Sequence, residues 1–76
     1  MEEHTIKIHE QHQVTYLDEA HEGMKYLQND LSAEEANVFF SAAKTHGTAE
    51  FEDKYNRQFT LMHNPGGGYT LVRRHH

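Results

Sequence analysis

The chain has no cysteine, no tryptophan, a single proline and no long apolar run. Without cysteine there is neither a disulfide staple nor a thiolate nucleophile, and the composition fits a reducing compartment. Without an apolar run there is no candidate membrane span or signal-peptide core. A soluble, cytoplasmic protein with no membrane partner is therefore expected. Positive charge is also scarce: seven Lys and Arg against twelve Asp and Glu leave −5 with histidine neutral. Such a field does not draw nucleic acid, so that partner would need a local basic patch; a basic protein surface suits the overall charge better. Seventy-six residues allow one domain, 1–76, with a modest core. Association into a homodimer would add buried surface.

Residues 32–47 carry the strongest local signal. Ser32-Ala33-Glu34-Glu35 has the form of a capping box, in which the Ser32 hydroxyl and the Glu35 carboxylate satisfy each other's backbone amides. Ala36, Phe39, Phe40 and Ala43 follow at i, i+3, i+4 and i+7, one helical face. Lys44 and His46 suit the last turn, and Gly47 suits the stop. The spacing predicts a helix over 33–46.

The first thirty residues are less decided. Residues 1–4 read as a frayed end, Thr5–His9 as a short alternating strand, and residues 10–13 as a polar turn. Residues 14–30 admit two readings. Leu17, Ala20, Met24, Leu27 and Leu31 form a helical stripe, which favours a helix over 17–29 despite Gly23. Alternatively, Val14-Thr15-Tyr16-Leu17 is a second strand hairpinned to the first.

After Gly47 the period becomes two. Phe51, Phe59, Leu61, Tyr69 and Leu71 fall on one face of three strand-like runs, to be packed on Phe39 and Phe40. Residues 54–57 form a tight turn, and Asn64-Pro65-Gly66-Gly67-Gly68 a longer loop. The expected fold class is α+β, a small two-layer sandwich. Its antiparallel sheet, a C-terminal three-stranded meander plus an N-terminal strand, packs on two helices.

No motif announces a reaction. His9-x-x-His12 is a metal-ligand spacing, but its second half is missing, so two exposed turn histidines are expected and no metal or cofactor is assigned. The glycine-rich loop leads into a strand with no lysine behind it, which favours a hairpin connection over a phosphate cradle. His21 beside Glu22, and Ser32 or Ser41 elsewhere, compose no nucleophile with a base, and a non-enzymatic protein is expected. Protonating all eight histidines would turn −5 into +3, yet they are dispersed as solvated residues would be. His75 and His76 resemble the start of a purification tag.

Two surfaces remain. The second sheet face, Gln58, Thr60, Met62, Thr70 and Val72, suits an unidentified protein partner or a second copy of the chain. Arg57, Arg73 and Arg74, brought together by the meander and aided by Tyr55, form the alternative, a nucleic-acid-binding patch. The leading expectation is a small interaction or regulatory module.

Overall fold

Alternation in the first seventeen residues produces two strands. In the computed structural model, which describes residues 2–74, β1 (Glu3–Ile8) and β2 (His12–Leu17) pair as an antiparallel hairpin. Ile6 faces Val14 and Ile8 faces His12 across it. Residues 3 and 4 are thus in a strand rather than frayed, and β-favouring Val14, Thr15 and Tyr16 prevail over the helical stripe. The turn is strained, with His9 and Glu10 at φ of 53° and 59°, a region non-glycine residues seldom adopt. His9 holds it in place. Its amide donates to Gln28 Oε1, and its Nε2 donates to the Leu27 carbonyl, both at 2.8 Å. A carbonyl can only accept, so the hydrogen sits on Nε2.

The helical stripe survives from Asp18 onward, in three short pieces. A 3-10 turn (Asp18–Ala20) leads into α1 (His21–Lys25), which relaxes into a π-helical turn (Tyr26–Asp30). The Leu31 amide closes that turn on the Tyr26 carbonyl at 3.0 Å. Ala20, Met24 and Leu27 are buried, as the stripe requires. Gly23 has a reason beyond tolerance: a Cβ there would lie 2.7 Å from the Phe59 ring.

Helix α2 (Ala33–His46) matches its predicted bounds. Both capping-box bonds form, from the Glu35 amide to Ser32 Oγ at 3.2 Å and from the Ser32 amide to Glu35 Oε1 at 2.8 Å. The Ser32 amide, and after it the Ser32 hydroxyl, hold the exposed Glu35 carboxyl below its usual range. Gly47 ends the helix at φ 91°, its amide on the Ala43 carbonyl.

The chain then forms β3 (Thr48–Glu52), β4 (Gln58–His63) and β5 (Tyr69–Arg73), an antiparallel meander. The five strands lie in the order β1-β2-β5-β4-β3. β5 is inserted beside β2 and runs parallel to it, Val14 against Tyr69 and Tyr16 against Leu71. The α+β two-layer architecture is as expected. The sheet differs in having five strands and in being mixed rather than wholly antiparallel. The added strand, β2, is the alternative hairpin strand at 14–17, and it takes Leu17 from the preferred helix over 17–29 and residues 12 and 13 from the expected polar turn.

One face of the sheet builds the core. Val14, Tyr16, Phe51, Phe59, Leu61, Tyr69 and Leu71 are buried there with Ala36, Phe40 and Ala43 of α2 and Leu27 of the π turn. Phe40 meets Tyr69 edge-on at 4.8 Å between ring centres, and Phe39 meets Phe51 at 5.3 Å. Among the described residues no helix is long and apolar enough to cross a membrane. His75 and His76, and with them the tag reading, lie outside the described residues.

Candidate functional site

Strand register assigns every side chain of the sheet to one of two faces. Opposite the core, one row runs Thr5, Thr15, Thr70, Met62, Thr48 across the five strands in spatial order. The next row contains Glu3 beside Leu17, and Val72 beside Thr60 and Glu50. Gln58 and Glu52 pair one step further on. The candidates Gln58, Thr60, Met62, Thr70 and Val72 thus do share one face, as period two requires. β2 adds Thr15 and Leu17, which the sequence reading did not include because it preferred to start a helix at Leu17.

This outer face carries hydroxyls and a few apolar groups in its middle. Thr5 and Thr15 hydroxyls meet at 3.1 Å, and Thr70 Oγ1 donates to Asn64 Oδ1 at 2.9 Å. Met62, Thr70, Val72, Thr60 and Gln58 are half-buried by their neighbours, while Leu17 is exposed. The buried side chains of α1, α2 and the π turn all belong to the core on the opposite face. Acidic groups stand on both edge strands, Glu3 on β1 and Glu50 and Glu52 on β3.

The arginines gather at one end of β4 and β5, as the meander predicted. Arg73 pairs with Phe59, and the Arg74 amide bonds to the Gln58 carbonyl. Arg73 falls on the core face and Arg74 on the outer one. Most of their positive charge is matched locally. Arg57 Nε donates to Asp53 Oδ2 at 2.7 Å and its Nη2 to Glu22 Oε2 at 3.4 Å, while its guanidinium lies 4.9 Å from the Tyr55 ring centre. Arg74 pairs with Glu50 at 3.5 Å.

Asp53 organises this end. Burial pushes its carboxyl up, but the Arg57 amide, the Arg57 guanidinium and the Tyr55 amide all donate to it and outweigh burial, leaving it below the usual carboxylate range. The turn it clasps has Asn56 at φ 65°, in the left-handed region that asparagine tolerates. A recess of about 150 Å³ between Lys25, Asp30, Lys54 and this cluster contains both signs of charge.

A larger cleft opens at the opposite end of the sheet, with a volume of about 540 Å³. Lys7 of β1, Gln11, His12 and Gln13 of the first hairpin, Asn37, Ser41 and Lys44 of α2, His63 of β4 and Gly67, Gly68 and Tyr69 line it. Among the described residues no carboxylate does. His12 is stacked on Phe40 at 4.0 Å between ring centres, and its Nε2 is buried without a hydrogen-bond partner among the described residues. Burial holds this imidazole below its usual pKa; Asn37 works against that, and His9 adds to it. His9 and His12 therefore part company, one on the Leu27 carbonyl and the other on Phe40. Among the described residues no three His, Asp or Glu side chains gather as metal ligands. The sequence reading missed this cleft. A polar stripe at i, i+4 and i+7 (Asn37, Ser41, Lys44) was the available signal.

Compared with family models, curated proteins and solved structures, the chain matches none.

Proposed function

We propose that the chain is a small, cytoplasmic, non-enzymatic interaction module that docks a basic protein partner on the outer face of its sheet. One observation carries this reading: among the described residues every helical segment packs on the same face, and none of them covers Leu17, Thr60, Met62, Thr70 and Val72. Specific interfaces pair a core depleted in charge with a polar rim. The hydroxyl and apolar centre here, with Glu3, Glu50 and Glu52 at the two edges, has that layout. Glu3 and Glu52, which belong to no ion pair among the described residues, would steer a basic surface toward the face. Nucleic acid is the weaker alternative, since Arg57 and Arg74 are already paired to carboxylates.

The test is capture from a nuclease-treated host lysate by the wild-type chain and by Met62→Glu and Val72→Glu. The reading expects a stoichiometric basic protein that the wild type retains and both variants lose, with the melting temperatures unchanged. Capture indifferent to both variants refutes it. So does recovery that nuclease abolishes and Arg73→Glu weakens, which is the outcome for a nucleic-acid module. A concentration-dependent dimer mass that Val72→Glu abolishes would assign the face to a second copy instead.

A further inference from the structure

The cleft between α2, the first hairpin and the glycine-rich loop concentrates positive charge on an acidic protein. Lys7 and Lys44 both line it, and among the described residues neither belongs to an ion pair. Elsewhere Lys54, Arg57 and Arg74 are matched by carboxylates, while Lys25 and Arg73, like the two cleft lysines, belong to no ion pair among the described residues. His12 and His63 add two imidazoles to the same walls. The chain's net charge of −5 is carried by acids outside the cleft.

From this arrangement we infer that the cleft binds a small phosphate monoester carrying a hydroxyl-rich, sugar-like group. Two lysines supply a charge of +2, close to the opposite of the −1.5 to −2 on a phosphate monoester at about neutral pH. His12 Nε2 is a buried polar atom without a partner, a group whose burial costs free energy unless something completes it. Asn37 and Ser41, one turn apart on α2, offer an amide and a hydroxyl to the ligand's own hydroxyls. The volume lies within the roughly 300–1,000 Å³ of small-molecule sites.

The loop contributes by what it lacks. A phosphate cradle was set aside from the sequence because no lysine follows Gly68. The tertiary structure supplies lysines from β1 and α2 instead. Gly67 and Gly68 have φ of 101° and 78°, and a Cβ at Gly68 would stand 3.4 Å from the Gln13 carbonyl oxygen. Side chains at these two positions would be strained, so this wall of the cleft stays bare backbone.

Amide-resolved NMR titration of the full chain tests the inference, with ribose 5-phosphate, ribose and inorganic phosphate as probes. Ribose 5-phosphate should give saturable shifts confined to Lys7, His12, Lys44, Gly67 and Gly68, with Kd below about 1 mM. Ribose should give none, and inorganic phosphate should bind more weakly. Lys7→Ala and Lys44→Ala alter exposed side chains and should keep the melting temperature, while each weakens binding about tenfold, as loss of a charge-assisted hydrogen bond does. Unsaturable shifts spread over the surface, or affinity indifferent to both lysine variants, would overturn the site. Inorganic phosphate binding as tightly as ribose 5-phosphate would overturn the sugar-like part of the assignment.

Discussion

Gly23→Ala should destabilise this protein, although the same change in an ordinary helix stabilises it. Alanine exceeds glycine in helix propensity by about 1 kcal/mol. The space at Gly23 opposes that gain. The new Cβ would lie 2.7, 2.8 and 2.9 Å from three atoms of the Phe59 ring. That ring is fully buried and stacked on Phe51 at 5.5 Å between centres, so it has no free side to retreat to. Overpacking of a core by one methyl typically costs about 1–3 kcal/mol, and so confined a ring belongs in the upper half of that range. The net loss is then about 1–2 kcal/mol, out of the roughly 4–11 kcal/mol expected for a domain of this size. Urea unfolding at neutral pH gives the number, and the melting temperature should drop by about 4 °C or more. The sign should reverse in a Phe59→Leu background, where the smaller side chain leaves room and only the propensity gain of about 1 kcal/mol remains. An unchanged or higher urea midpoint for Gly23→Ala in the wild-type background would refute the steric account of this glycine.

Two further perturbations test particular contacts. Ser32→Ala removes the hydroxyl that accepts from the Glu35 amide and should cost about 1 kcal/mol in urea unfolding, with α2 otherwise intact; no loss would mean that the cap is not holding the helix start. Asp53 titrates at lower pH in the folded protein than in the unfolded chain, so the stability it confers is present above the unfolded value near 3.8 and is lost as pH falls through the folded value. Asp53→Asn should therefore lower stability at pH 7 and flatten the stability-versus-pH curve below about pH 4; an unaltered acid limb in chemical unfolding would contradict the role of this carboxylate.

Local chemistry made much of the fold legible. The capping box, stripe and glycine stop act within a few residues of one another, and α2 starts and ends where they place it. Period two gave the three C-terminal strands and the core face for the same reason: alternate side chains of a strand must point opposite ways, whatever the partner. The 14–30 region was harder because its signals conflict. Val14, Thr15 and Tyr16 favour a strand, the stripe from Leu17 favours a helix, and both are satisfied in sequence, the strand through Leu17 and the helical run from Asp18. Local propensity could not set that boundary; the pairing of β2 with both β1 and β5 did.

The candidate surfaces divide along the same line. Gln58, Thr60, Met62, Thr70 and Val72 could be placed on one face from alternation alone. That the face is uncovered, and that Thr5, Thr15 and Leu17 extend it, follows from strand order, which depends on pairings more than fifty residues apart. The sequence placed three arginines at one sheet end; the tertiary structure pairs two of them, Arg57 with Asp53 and Glu22 and Arg74 with Glu50. The sequence held Lys7, His12, Lys44, His63 and Gly68 without any sign that they belong together. By itself the sequence determined α2, the first strand and the three C-terminal strands, and which of their side chains share a face, because those depend on neighbours along the chain. Only the tertiary structure decided the mixed strand order, the Gly23–Phe59 contact and the cationic cleft. Each of these arises where residues distant in sequence are forced into one volume by burial of the shared core.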